Sequence, residues 1–342
     1  MHCEPYARFA QLHPKQGTYF CTSLNVLRWR CVHAYQPNGT INVASIITFP
    51  GNPQPSASED NQINMKLPHT ELQNRRPNIE NTPSKDFLWL NIRELPYFRS
   101  LLRAVEAQFY QEIALPAPTL DIGCGEGHFA GLTFDRKIDV GLDPSHRTIH
   151  EAGARQAYHL LTEADGGRMP YPDGYFASAF SNSVLEHIPH VERVLGEAAR
   201  VLKPGALFAF CVPNHRFNER LSIAVFLDKL RLYSLAKLYH DFFNYIARHR
   251  HLDSPEVWKS RLELAGFAVE RWWHYFPPKA LAVLEWGHYF GLPSYIIHKL
   301  TGRWILVPTH WNLILTRRLI QPYASAVACD DGVCTFYIAR RT

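Results

Sequence analysis

The fold of this chain is decided by the stretch Leu120-Asp121-Ile122-Gly123-Cys124-Gly125-Glu126-Gly127-His128. It predicts a buried strand that ends in an acidic residue, followed by a glycine turn that opens a helix. Glycine has no Cβ and tolerates positive φ, so the backbone of such a turn approaches a ligand closely. A nucleotide-containing cofactor is therefore the first expectation.

The spacing and charge of this turn narrow the choice of cofactor. The glycines read G-x-G-x-G, whereas the dinucleotide fingerprint needs its third glycine one place later, where His128 stands. Asp121 and Glu126 disfavour an anion at the helix N-terminus and favour a cofactor that carries positive charge. S-adenosylmethionine (SAM), with its sulfonium and amino groups, fits better than NAD, and an NAD-dependent enzyme is the weaker alternative.

Further motifs follow in order along the chain. Val140–Asp143 predicts a second strand whose terminal carboxylate, about 20 residues past the glycine turn, can bind both ribose hydroxyls. A loop over 164–173 leads to a fourth strand at 175–180. Residues 181–188 follow that strand, and 201–208 predict a helix end, a tight turn and a fifth strand.

This ordered series resembles the class I SAM-dependent methyltransferases, particularly the methyltransferase type 11 group related to ubiquinone and menaquinone C-methyltransferases. The resemblance covers about residues 117–213, with weaker continuations at 254–276 and 333–341. It implies an α/β fold with a doubly wound, mostly parallel, seven-stranded Rossmann-like sheet and helical insertions. It also implies an enzyme that uses SAM to methylate a small-molecule, lipid-like or glycan acceptor.

The resemblance implies cofactor contacts only where residues match the family motifs. The glycine turn would line the methionine and ribose side, Asp143 would hold the ribose, and Asp165 with the Gly166 backbone would read the adenine edge. The full set of expected cofactor-binding residues is Asp121, Gly123, Cys124, Gly125, Gly127, Asp143, Pro144, Asp165, Gly166, Ser181 and Asn182.

Two departures from the family pattern stand out. The family has an acidic residue where Ala177 stands in the fourth strand, and the run Gly166-Gly167-Arg168 makes an unusually flexible adenine loop. The missing acid is a faint hint of an alternative function, a catalytically silent SAM-binding module with a regulatory role.

His187 is the candidate catalytic base, because it follows the fourth strand where the acceptor pocket of the family begins. The alternative is that the Leu-Glu-His run merely caps and orients the next helix. His249 and His251, ahead of Asp253, could reach the same pocket from a predicted lid, although a loop histidine is more often solvated. Pro189 separates His187 from His190 and no other ligands cluster there, so no metal site is expected.

Composition limits the other classes of function. The 342 residues carry a net charge of +5, which gives no strong reason to expect nucleic acid binding. The seven cysteines form no C-x-x-C pair, so reduced thiols and a cytoplasmic location are expected. No uncharged apolar run approaches the length of a membrane-spanning helix.

The organisation of the chain has three parts. Residues 1–64, with a Pro/Ser/Asn-rich run at 50–61, are expected to be a flexible arm or an over-extended reading frame, with translation beginning at Met65 in the second case. Residues 65–116 form an N-terminal helical segment, with an apolar face over 85–114 that either shields the cofactor or packs on the sheet. The methyltransferase domain would occupy 117–342.

Two insertions distinguish this chain. Residues 214–250 mix apolar and basic side chains and predict a helical lid, or else a surface helix pair. Residues 277–332 are rich in aromatic residues, and Glu285 is the single acid among the basic residues of 277–329. Such a segment fits peripheral membrane contact through 277–320, a dimer contact, a wall around a bulky acceptor, or ordinary packing of a small subdomain.

Overall fold

A computed structural model of the chain describes residues 85–342 and, nearer the N-terminus, the backbone of two strands. The chain divides into two units, residues 1–66 and 67–342. In the first, Trp29–Tyr35 pairs antiparallel with Ile41–Ile47, which the sequence pattern over 1–64 does not predict. The expected linker at 50–61 and the alternative start at Met65 lie outside the described residues.

The second unit contains a seven-stranded sheet in the order β3-β2-β1-β4-β5-β7-β6. Strand β7 runs in the opposite direction to the other six strands. The predicted doubly wound, mostly parallel fold is confirmed. The strands are β1 (Thr119–Ile122), β2 (Ile138–Asp143), β3 (Tyr158–Glu163), β4 (Phe176–Asn182), β5 (Leu202–Pro213), β6 (Phe267–Tyr275) and β7 (Cys334–Arg341). The order reverses at β1, so the carboxyl ends of β1, β2 and β4 share one edge, where open α/β sheets bind ligands.

Helices before and between the strands cover both faces of the sheet, as parallel strands require. The helix at 191–202 that the sequence predicts ends at Val201, because Leu202 already pairs with Phe176 of β4. The helices are α1 (Phe87–Ile92), α2 (Tyr97–Tyr110), α3 (His128–Thr133), α4 (His146–Arg155), α5 (Val191–Val201) and α9 (Pro255–Leu264).

The N-terminal helical segment packs on the sheet. Pro96 occupies the N-cap of α2 and separates it from α1, so the predicted helical run over 85–114 is two helices. The ring of Tyr110 lies edge-on to Phe180 of β4 and Phe336 of β7, at centroid distances of 5.5 and 5.1 Å. This contact anchors the C-terminal turn of α2 and fixes where its earlier turns lie.

Both insertions are helical and contact each other. The buried carboxylate of Glu285 accepts hydrogen bonds from the backbone N–H of Ser222 at 2.5 Å and from the hydroxyl of Tyr239 at 2.7 Å. A carboxylate is favourable at the helix N-terminus that Ser222 begins. The insertion helices are α6 (Arg216–Glu219), α7 (Ser222–Lys229), α8 (Tyr233–Ala247), α10 (Pro278–Phe290), α11 (Leu292–Thr301) and α12 (His310–Ile320). None of the helices in the described part of the chain is long and apolar enough to cross a membrane.

Candidate functional site

The glycine turn after β1 is built for close approach of a ligand. Gly123, Gly125 and Gly127 all have positive φ, and the backbone N–H of Gly123 donates to the carbonyl of Leu142 at 2.8 Å. A Cβ on Gly123 would lie 2.4 Å from a methyl carbon of Val184, so this position excludes any side chain. A Cβ on Gly125 would meet no atom within 4 Å, which leaves the outer face of the turn accessible.

Asp121 lies at the carboxyl end of β1 and is almost fully buried. Its Oδ2 accepts a hydrogen bond from the hydroxyl of Tyr158 at 2.7 Å. Burial raises the pKa of Asp121 to about 7, although the bond from Tyr158 opposes that shift. A cationic group bound beside this carboxyl would favour its ionised form, and the arrangement therefore suits an amino group.

Asp143 lies at the carboxyl end of β2 and connects the glycine turn to α4. Its Oδ2 accepts from the backbone N–H of Gly125 at 3.0 Å. Its Oδ1 accepts from the N–H of Ser145 at 2.9 Å and from the hydroxyl of Thr148 at 2.7 Å. A carboxylate has about four acceptor positions, so these bonds leave room for a further donor.

The remaining predicted cofactor residues lie along the same edge. Asp165 is exposed after β3 and accepts from the N–H of Gly167 at 2.8 Å, which orders the loop around Gly166. The buried hydroxyl of Ser181 donates to the carbonyl of Ile122 at 2.8 Å and ties β4 to β1. Pro144 is exposed immediately after β2, Gly127 is the N-cap of α3, and Cys124 is a buried, free thiol within the turn.

A buried network supports this edge from α2, and sequence reasoning missed it. Glu106 is fully buried and accepts from Asn182 Nδ2 at 2.7 Å, Ser183 Oγ at 2.6 Å and Tyr275 OH at 3.1 Å. It also pairs with the guanidinium of Arg103 at 3.0 Å. The sequence does place Arg103 and Glu106 three residues apart on an otherwise apolar face of α2. That spacing could have indicated a buried ion pair, since charges are almost never buried without a partner.

Arg103 places a cation at the centre of the site. Its NH1 donates to the carbonyl of Asn182 at 3.0 Å, at the carboxyl end of β4. Burial raises the pKa values of Asp121 and Glu186, and the positive charge of Arg103 offsets a small part of that rise. The site therefore holds an arginine and a buried carboxyl group within electrostatic reach of each other.

His187 lies in a short 3₁₀ turn after β4, next to Glu186. Its Nδ1 is 3.1 Å from the carbonyl of Arg248 and its Nε2 is 3.6 Å from Glu186 Oε1. A donor role for Nδ1 leaves Nε2 as the acceptor of a proton. Burial lowers the pKa of His187 below its ordinary value, so the ring is neutral at pH 7.

The insertion over 214–250 brings a second histidine to this point. The ring of His249 stacks on that of His187 at a centroid distance of 5.9 Å, and burial lowers its pKa to about 3. His251 instead bonds through Nε2 to the carbonyl of Ile188 at 2.9 Å, and Asp253 lies 3.5 Å from its Nδ1. Within residues 85–342 no group of three or more His, Cys, Asp or Glu side chains could hold a metal ion.

Glu186 is the least satisfied acid at the edge. It is 2% exposed, and its Oε2 is buried without a hydrogen-bond partner. Burial raises its pKa to about 8, and the neighbouring Glu106 adds to that shift. At pH 7 the carboxyl beside His187 is therefore mostly neutral.

Comparison with known proteins assigns the central region. Residues 120–210 match the family described as methyltransferase domain. The predicted resemblance to the class I SAM-dependent methyltransferases is thereby confirmed over these residues, and SAM is the cofactor that this family implies.

Individual relatives of the methyltransferase domain agree with this assignment. The chain is 37% identical over 89 residues to an uncharacterized methyltransferase of Mycobacterium sp. (strain JLS), which covers 26% of this chain and 35% of the relative. It is 34% identical over 99 residues to the 27-O-demethylrifamycin SV methyltransferase of Amycolatopsis mediterranei. This match covers 26% of this chain and 36% of the relative. The matches thus span about a third of the length of these curated relatives.

Among solved structures, the chain is similar to an S-adenosylmethionine-dependent methyltransferase from Mesorhizobium loti. The TM-score is 0.42 and the sequence identity 16%, over 70% of this chain and 98% of the other.

Proposed function

We propose that this chain is an enzyme that transfers a methyl group from SAM to a small or lipid-like acceptor with substantial apolar surface. The observation that carries this proposal is the convergence of Asp121, Asp143 and the glycine turn at the ligand-binding edge of a methyltransferase domain. SAM would supply an electrophilic methyl group on a sulfonium.

The chain's own residues provide complementary partners for each end of SAM. Asp121 would accept from the amino group of the methionine part, and Arg103 would bind its carboxylate. The remaining acceptor position of Asp143 would take one of the ribose hydroxyls. Asp165 and the Gly166 backbone would read the adenine edge. Charges of both signs match the zwitterionic methionine part better than they match a diphosphate.

The position of Ala177 argues against the silent-module alternative. Ala177 is the second residue of β4, and the strand's carboxyl end is at Asn182. Five residues of strand separate the two by about 16 Å. The departure from the family pattern therefore lies at the far end of the strand from the cofactor edge.

The acceptor would enter between the 3₁₀ turn and the lid. His187 Nε2 and the stacked His249 form a partly apolar wall there, and Phe217 lies edge-on to His249 at 5.0 Å. Methyl transfer is an in-line displacement, so most of the rate enhancement would come from positioning the acceptor. His187 would remove the proton of a hydroxyl acceptor.

Calorimetric titration with SAM and S-adenosylhomocysteine tests the cofactor assignment. We expect binding of both, with affinity rising between pH 6 and pH 8 because Asp121, with a pKa of about 7, must ionise to bind the amino group. Formation of S-adenosylhomocysteine in a screen of lipids, quinones and glycans would then identify the acceptor class. No binding to the folded protein would overturn the proposal, and binding without turnover of any acceptor would favour the silent module.

Replacement of His187 tests the proposed base. For a hydroxyl acceptor, His187→Gln should lower kcat by about 10²- to 10⁴-fold and leave SAM affinity unchanged. In the wild type at saturating SAM, kcat should rise with pH through a midpoint below the ordinary histidine value of about 6.5, because only the neutral ring accepts a proton. His251→Gln, outside the pocket, is the matched control. A wild-type rate in the His187 variant would assign the turn a structural role.

A further inference from the structure

Helices α11 and α12 repeat one pattern of exposed residues. Each presents apolar side chains at positions i, i+3, i+4 and i+8, and a basic side chain at i+7. In α11 these are Leu292, Tyr295, Ile296, Lys299 and Leu300, and in α12 they are Trp311, Ile314, Leu315, Arg318 and Leu319. This spacing places all five residues on one face of each helix.

These faces point to solvent instead of into the core. The apolar members are between 44% and 80% exposed, and α11 has no buried residue at all. The link between the helices adds Leu306 and Val307, which are 50% and 42% exposed. We call residues 292–319 the outward apolar surface. Groups of exposed apolar side chains of this kind mark interaction sites.

The charge of this surface is uniformly positive. Between residues 286 and 329 the sequence has Lys299, Arg303, Arg317 and Arg318 and no acidic residue. Arg317 is paired with Asp86 at 2.6 Å, whereas the other three are exposed. The ammonium of Lys299 lies 5.5 Å from the ring centroid of Tyr295, so its stem runs beside the apolar stripe.

We propose that the outward apolar surface docks the protein on a lipid bilayer that carries anionic headgroups. The apolar stripes would enter the boundary between headgroups and acyl chains, and Lys299, Arg303 and Arg318 would contact the lipid phosphates. The 11 residues of α12 extend about 16 Å, so the helix would lie along the interface and not cross it. Tryptophan and tyrosine are suited to this position because each is apolar with a polar tip.

Charge distinguishes this occupant from a second copy of the chain. In a symmetric dimer the same patch meets itself, so Lys299 and Arg318 would face like charges with no acid on the surface to compensate. Anionic lipid offers both the apolar layer and the opposite charge. The proposal is independent of the proposed methyl transfer, because binding to vesicles requires neither SAM nor an acceptor.

Sedimentation of the full chain with vesicles tests the proposal. We expect binding to vesicles of equal parts phosphatidylcholine and phosphatidylglycerol, weaker binding to phosphatidylcholine alone, and loss of that difference near 1 M NaCl, where the screening length is about 3 Å. Quenching of tryptophan fluorescence by brominated acyl chains should fall in Trp311→Phe, since Trp311 is 73% exposed on the surface.

Paired variants separate the two contributions. Trp311→Ser with Leu315→Ser should weaken binding to both kinds of vesicle by about tenfold. Lys299→Gln with Arg318→Gln should weaken the preference for anionic vesicles and leave binding to phosphatidylcholine unchanged, because only Arg303 of the three exposed cations remains. The matched controls are Val257→Ser with Leu264→Ser, and Lys137→Gln with Lys203→Gln. These substitutions replace exposed residues of the same kinds that lie outside the outward apolar surface. The control variants should bind vesicles as the wild type does.

Two results would overturn the proposal. One is absence of vesicle binding by the folded wild type, whether or not ultracentrifugation shows a dimer that Trp311→Ser dissociates. The other is vesicle binding that the test variants and control variants reduce equally. Either result would leave the cofactor titration of the same preparation unaffected.

Discussion

Asp143→Ala is expected to lower the affinity for SAM by about 10- to 100-fold, because the charge-assisted hydrogen bond that its free acceptor position would make to a ribose hydroxyl is worth about 1.5–3 kcal/mol. The substitution also removes the acceptor for the N–H of Gly125 and for the hydroxyl of Thr148. The glycine turn and the start of α4 would therefore lose a shared anchor. Calorimetry measures the affinity, and circular dichroism should show that the fold persists.

Two further variants sharpen this test. Asp143→Asn keeps one carbonyl acceptor and should bind SAM with an affinity between those of the wild type and the alanine variant. Asp139→Ala is the matched control, because Asp139 lies on the same strand at the opposite end and accepts from the N–H of Thr119 at 2.8 Å. It should leave SAM affinity unchanged. Equal affinities for the wild type and Asp143→Ala would show that the ribose is bound elsewhere.

The strands and the glycine turn were predictable from the sequence because their signals are local. Buried strands read as short apolar runs, and acidic residues at their carboxyl ends meet at one edge once the sheet is parallel. The stack of His187 on His249 was partly predictable, since the sequence predicts that both can reach the acceptor pocket. His251 was not excluded by sequence, because its bond to the carbonyl of Ile188 depends on how the chain returns to the sheet.

The buried network around Glu106 was not predictable in the same way. Its partners Asn182 and Tyr275 lie 76 and 169 residues further along the chain, so no local pattern connects them. The aromatic and basic composition of 277–332 was evident in the sequence, but the exposed position of the outward apolar surface was not. A stripe of period 3.6 has the same appearance in the sequence whether it faces the core or solvent, and only the fold decides which.

Removal of the Glu106 carboxylate should have the largest effect on stability. Glu106→Ala would leave the guanidinium of Arg103 without its anion and would remove the acceptor for Asn182, Ser183 and Tyr275. Loss of one partner of a buried ion pair costs about 3–5 kcal/mol, a large part of the stability of an ordinary domain. Urea unfolding followed by tryptophan fluorescence measures this change.

Two further variants, Glu106→Gln and Glu112→Ala, serve as comparisons for the loss of stability expected in Glu106→Ala. Glutamine keeps the shape of the side chain but turns an N–H₂ group towards donors. We therefore expect the free energy of unfolding to fall by about 1–3 kcal/mol. Glu112 is exposed just beyond α2, and its replacement should change stability by less than about 0.5 kcal/mol. Since Arg103 would bind the carboxylate of SAM, saturating SAM should restore more stability to the glutamine variant than decarboxylated SAM, which lacks that carboxylate, does. A Glu106→Ala protein as stable as Glu112→Ala would show that Arg103 finds another anion, and the network would then have no structural role.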